Sequence, residues 1–103
     1  MAFRVDLTPR AHKDLDKIYS AAIREAPYRG PRWCDRFEQS ILSLSNFPER
    51  CPVEPKLSSS RRTVRKLLFG KRRYVYRVYY AIFDDVVRVL HVRHGARKEP
   101  KRV

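Results

Sequence analysis

"RYVYRVYYAIFDDVVRVLHVRH", Arg73 to His94, decides the fold. It holds two runs rich in β-branched, aromatic and aliphatic residues, Arg73 to Phe83 and Val86 to His94, with Asp84 and Asp85 between them. Such side chains suit a pleated surface, and a short polar break between two such runs marks a hairpin. The stretch therefore predicts a pair of antiparallel strands. Toward its end, and in the "GAR" that follows, stand His91, Arg93, His94 and Arg97, cations for which a buried strand has no obvious use.

Upstream, "VRKLLF" from Val64 to Phe69 reads as a further strand, turned into the next by "GKR" at Gly70 to Arg72. At the other end of the chain "FRVDL", Phe3 to Leu7, alternates apolar and polar residues as a half-buried strand does. Thr8 then offers a helix N-cap and Pro9 fits the first helical position. The helix keeps Ala11, Leu15, Ile18, Tyr19, Ala22 and Ala26 on one stripe, with Lys13, Asp14, Lys17 and Arg24 elsewhere, until Pro27 and Gly30 end it. A second helix from near Pro31 presents Trp33, Phe37, Ile41, Leu44 and Phe47 before Pro48 stops it. The short link makes the helices an antiparallel hairpin, whose common apolar stripe must be buried on a flat partner, the sheet.

The predicted fold is a single α+β domain over residues 1–103 in the order β-α-α-β-β-β. A helical hairpin at about 8–47 packs on one face of a mainly antiparallel twisted sheet at about 64–95. The loop at about 48–63, with Pro48, Pro52, Pro55 and Ser58 to Ser60, is long enough to suggest function or mobility. A basic tail occupies 96–103.

A chain of 103 residues has room for one core and none for separate catalytic and recognition domains. Lys and Arg number 24 against 11 Asp and Glu, a formal charge of +13, which calls for a polyanionic partner: nucleic acid, an acidic protein or an anionic surface. Hydrophobic residues make up 43%, so this charge rides on a folded domain and not on a disordered tail. No apolar run approaches the roughly 20 residues of a membrane span, and "MAFRVDLTPR" lacks the features of a signal peptide. A cytoplasmic protein with no membrane contact is expected. Cys34 and Cys51 have no metal or redox spacing and read as a reduced pair.

His91 and His94, three apart on a strand, point to opposite faces and cannot close on one ion, and no Cys, Asp or Glu cluster completes a site. Neither metal nor cofactor is expected, and no nucleophile elbow is present. The basic set is more informative. Arg61, Arg62, Arg65, Lys66, Lys71, Arg72, Arg73, Arg77, Arg88, Arg93, Arg97 and Lys98 all fall in the C-terminal half. On adjacent strands about 4.8 Å apart, such cations build a positive face able to hold phosphates. Tyr74, Tyr76, Tyr79 and Tyr80 interleave with them as stacking platforms or, more in keeping with strand aromatics, as core. Arg77 lies inside an apolar strand, where a guanidinium needs a carboxylate, Asp84 or Asp85, or a bound anion.

The order of elements, the basic excess, the second-helix pattern Phe37, Ile41, Leu44 and Pro48, and "YRVYYAIFDD" followed by "VVRVLHVRHGAR" together resemble the RelE/ParE superfamily, the toxins of type II toxin–antitoxin systems. The resemblance covers nearly the whole chain and implies two activities. The RelE and YoeB branch comprises metal-independent ribonucleases that cut mRNA on the ribosome, and the ParE branch poisons DNA gyrase without cutting RNA. Both are neutralised by a cognate acidic antitoxin. By resemblance to the ribonucleases, Arg77 and Arg97 stabilise the scissile phosphate, His94 serves as acid and Glu54 as base. Arg61, Arg62, Arg65, Lys66, Lys71, Arg72, Arg73, Arg93 and Lys98 are then the expected nucleic-acid contacts. The same "VRVLHVRHGAR" is also close to ParE-type endings; the expected function is a toxin that is a metal-independent endoribonuclease acting on ribosome-bound mRNA, with ParE-type gyrase inhibition without RNA cleavage as the alternative.

Overall fold

The computed structural model describes residues 2–95 and 100–103, apart from the side chain of Arg73; Arg97 and Lys98 lie outside the described residues. Strand β1 (Arg4–Leu7) runs into helix α1 (Pro9–Glu25), followed by α2 (Gly30–Leu42) and strands β2 (Val64–Phe69), β3 (Tyr76–Phe83) and β4 (Val86–His94). The four strands lie in the order β1-β4-β3-β2, with β1 parallel to β4 and the other two pairings antiparallel. This is the predicted α+β architecture.

Thr8 caps α1 as expected, its hydroxyl accepting from Ala11 N, with Pro9 at the start of the helix. The hairpin stripe buries Ala11, Leu15, Phe37, Ile41 and Leu44 on the sheet face formed by Val78, Tyr80, Val87, Val89 and Val92. Phe37 stacks on Phe69 with ring centroids 4.5 Å apart, and Trp33 and Tyr76 pack around them edge-on or tilted. Each such ring contact adds about 0.5–1.5 kcal/mol to the burial of its area. The opposite face of the sheet carries a smaller cluster of Val64, Tyr79, Ala81 and Leu90, covered by Leu57 and flanked by Val103.

Three segments differ from expectation. The second helix ends at Leu42 and passes into a 3-10 turn at Ser43–Ser45, so Phe47, expected on its apolar stripe, lies beyond it at φ 50° and is 83% exposed. The strand predicted from Arg73 begins at Tyr76, because Arg72–Tyr74 form a tight 3-10 turn, entered through Gly70 at φ 104° and Arg72 at φ 55°. The residues at about 48–63, read as a loop, are tied to the sheet edge. Val53 bridges to Arg65, whose guanidinium donates to the carbonyls of Glu49 and Cys51, and Ser58 Oγ accepts from Val64 N.

Candidate functional site

Which face each cation occupies follows from the strand register. On β3 the even residues Tyr76, Val78 and Tyr80 face the helices, so Arg77, Tyr79 and Ala81 face away, on the helix-free side that we term the open face, where they are nonetheless buried. On β4 a bulge intervenes: Tyr80 pairs with Val89 but Tyr79 pairs with His91, leaving Leu90 as the extra residue. Before the bulge the odd residues Val87 and Val89 face the helices; after it the even residues Val92 and His94 do. The extra residue thus brings His91 and Arg93 to the open face. In an unbroken strand they would lie under the helical hairpin.

The bulge is held from both sides by α1. Thr8 N donates to Val89 O, and Thr8 Oγ1 lies 3.1 Å from Leu90 O as donor. Asp14 Oδ2 accepts from Val92 N at 3.0 Å and from His91 Nδ1 at 2.6 Å, while Arg10 Nη2 stands 3.3 Å from His91 Nε2. That arrangement fixes the tautomer: Nδ1–H donates to the carboxylate, and Nε2 accepts from the guanidinium. Burial pushes the His91 pKa below the usual 6.5; the Asp14 carboxylate works in the opposite direction, and the cations Arg10 and Arg93 add to the lowering. The ring stacks against Tyr79 at 6.3 Å. His91 therefore stays neutral and ties the helix to the sheet.

Arg77 and Arg93 are direct cross-strand neighbours on the open face. Like charges placed opposite one another are unfavourable unless something anionic or polar shares them. Arg77 is only 6% exposed, and its Nη2 donates to His94 O at 3.3 Å. Asp84 and Asp85, offered as its partners from sequence, sit at the far end of β3, about 23 Å along a strand rising about 3.3 Å per residue. Lys66 lies beside Tyr79 on the same face and pairs with Glu54 at 2.9 Å. Open-face Arg77, Arg93 and Lys66 are thus gathered, with Glu54 at the margin.

The other candidates are dispersed. His94 points to the helix side, where its ring meets Tyr76 edge-on at 4.9 Å, so His94 and Arg77 occupy opposite faces. Arg65 also faces the helix side and holds the 48–51 segment. Arg61 is exposed in the loop, and Arg62 Nη2 donates to Val103 O. Lys71 and Arg72 are exposed at the β2–β3 turn that also contains Arg73. Tyr79 and Tyr80 are fully buried; Tyr74 is exposed. Sequence reasoning missed Arg10 and Asp14. Asp14 was placed off the apolar stripe, yet it falls at the helical spacing of Ala11, Leu15 and Ile18 and is only 22% exposed. An acid within an apolar stripe was the available signal.

A small basic domain with a helical hairpin on one face of a mixed four-stranded sheet has the architecture of the RelE/ParE toxins. Residues 5–99 match the model of the ParE toxin of the type II toxin–antitoxin system, parDE, and the chain belongs to this family. Among solved structures it is similar to the chromosomal ParDE toxin–antitoxin system from P. aeruginosa, with 16% identity, TM-score 0.69, and coverage of 90% of this chain and 96% of that one. It is also similar to a mutant of the E. coli toxin RelE in the free state, at 20% identity and TM-score 0.60 over 93% and 86% of the two chains. The toxin–antitoxin complex RelBE2 from Mycobacterium tuberculosis gives 25% identity and TM-score 0.58 over 91% and 99%. No curated protein matches by sequence. Among the described residues no helix is long and apolar enough to cross a membrane.

Proposed function

We propose that this toxin disables its target by binding and not by cutting, with DNA gyrase, the target of the ParE branch, as that target and an acidic antitoxin as its neutralising partner. The observation that carries this reading is the separation of the residues nominated for RNA cleavage. In-line attack of a 2′-hydroxyl on phosphorus needs a base, an acid and positive charge around one phosphate. Here Arg77 faces one side of the sheet and His94 the other, and Glu54 is engaged by Lys66. The match of the ParE family model across residues 5–99 supports the same choice.

A second reading, cleavage of ribosome-bound mRNA, is favoured by the cross-strand placement of Arg77 and Arg93, whose forked guanidiniums suit phosphate oxygens. On that reading these arginines and Arg97 hold the phosphate, Glu54 takes the proton and His94 returns one. Expression in cells separates the two. A gyrase-directed toxin arrests growth with induction of the DNA-damage response while bulk translation continues at first. A prompt fall in translation with mRNA cleavage, and no DNA-damage response, would favour the second reading over the first.

A further inference from the structure

Phe47 sits where backbone sterics disfavour it on two counts. Its φ of 50° and ψ of 56° place a bulky side chain in the left-handed region, where Cβ crowds the following carbonyl. The next residue is Pro48, whose ring pushes the residue before it toward extended torsions. Burial offsets neither cost, because Phe47 is 83% exposed. The turn around it holds the conformation from several sides. Arg50 Nη1 donates to Asn46 O at 2.7 Å and stands 3.3 Å from the carbonyls of Ser43 and Phe47, while its Nη2 donates to Ser43 Oγ at 2.8 Å. Pro48 is buried, its carbonyl accepting from Tyr80 OH, and Ser45 O accepts from Phe3 N at 2.8 Å. A braced backbone outlier whose ring points into solvent has its use outside the monomer.

Charge selects the kind of partner. The turn carries Glu49, and the bond from Arg4 N to Asp85 O sets Asp84 and Asp85 beside the same end of β1. These three acids offset Arg4 and Arg50 in a chain of net charge +13, so this end of the sheet does not attract a polyanion. We propose that Phe47 anchors the toxin on its protein target, the ring inserting into an apolar pocket of that protein. Aromatic side chains dominate such contacts, and one held rigid before binding loses little freedom on insertion. The proposal rests on the reading that this toxin acts by binding DNA gyrase, and adds the residue that seats it there.

Full-length wild type and variants are compared for binding to DNA gyrase holoenzyme, growth arrest on expression and thermal stability. Phe47→Asn suits the left-handed torsions and removes the ring, so it should melt no lower than wild type while binding gyrase about thirtyfold more weakly. Phe47→Gly, equally free to adopt those torsions, repeats the test. Phe47→Tyr keeps the ring and should bind within about threefold of wild type. Tyr28→Asn is the control: Tyr28 is 97% exposed with no positive φ, and its loss should change binding by less than about twofold. Undiminished binding by Phe47→Asn and Phe47→Gly overturns the proposal, as does an equal loss in Tyr28→Asn, which marks general surface adhesion. A wild-type dimer that Phe47→Asn converts to a monomer, with gyrase binding intact, assigns the ring to self-association and overturns it too. If wild type arrests growth without binding gyrase, the gyrase reading alone fails: arrest lost in Phe47→Asn and kept in Phe47→Tyr upholds the anchor on another protein, and arrest kept in both overturns it. A wild type that neither arrests growth nor binds gyrase overturns both.

Discussion

Asp14→Ala should be among the most damaging single substitutions outside the apolar core. One carboxylate oxygen satisfies two donors across the helix–sheet junction, Val92 N at 3.0 Å and His91 Nδ1 at 2.6 Å. Removing it strands both, and each unsatisfied buried donor costs about 1–3 kcal/mol. Asp14 is 22% exposed, so water reaches part of the vacated space, which places the total nearer 2–4 than 6 kcal/mol. For a domain of this size each kcal/mol lowers Tm by about 4–8 °C, a drop on the order of 10–25 °C. Asp14→Asn keeps an acceptor for one donor and should lose roughly half as much. Asp16→Ala is the matched control: its side chain is 68% exposed and pairs with exposed His12, so the change should stay within about 0.5 kcal/mol. The assay is denaturant unfolding of the three variants with common m-values. An Asp14→Ala variant as stable as Asp16→Ala would refute the account of how the β4 bulge is held.

Other outcomes follow from the same contacts. Buried His91 has a lowered pKa, so the unfolded chain takes up its proton first, near pH 6.5. Stability should therefore fall as pH drops below about 6.5 toward the folded-state pKa, and His91→Gln should flatten that limb in melts between pH 5 and 8. Gly70→Ala places a Cβ against the Tyr74 carbonyl at φ 104° and should cost more than about 2 kcal/mol, read by the urea midpoint. Tyr80→Phe leaves the buried Pro48 carbonyl without its 2.5 Å donor and should cost about 1–2 kcal/mol in the same measurement. Glu54→Gln and His94→Ala should leave inhibition of the target within about twofold of wild type; a loss of roughly 100-fold in either would restore the acid–base assignment.

The elements were readable because their periodicities are clean: Phe37, Ile41 and Leu44 recur at helical spacing, and Thr8–Pro9 marks a helix start. The bulge at Leu90 was not recognised, because its signal is a single doubled apolar step, Val89–Leu90, inside a strand that alternates on either side of it. The polar positions change phase across it, from even Arg88 to odd His91 and Arg93, which is the trace an inserted residue leaves. That phase change puts His91 and Arg93 on the open face, so the candidate site depended on one inserted residue in the strand. The basic set was legible as composition and not as geometry. Arg65 and Arg62 spend their guanidiniums on main-chain carbonyls, a use that residue type does not reveal. Lys66 and Glu54 come together only because the 52–54 segment pairs with the edge of β2.

The central claim, that the toxin binds its target and does not cut RNA, is tested most directly by incubating the purified protein with DNA gyrase, relaxed plasmid and ATP, and in parallel with programmed ribosomes whose mRNA ends are mapped. The account predicts loss of supercoiling or accumulation of cleaved plasmid, with intact mRNA. Codon-phased mRNA cuts together with undisturbed supercoiling would contradict it.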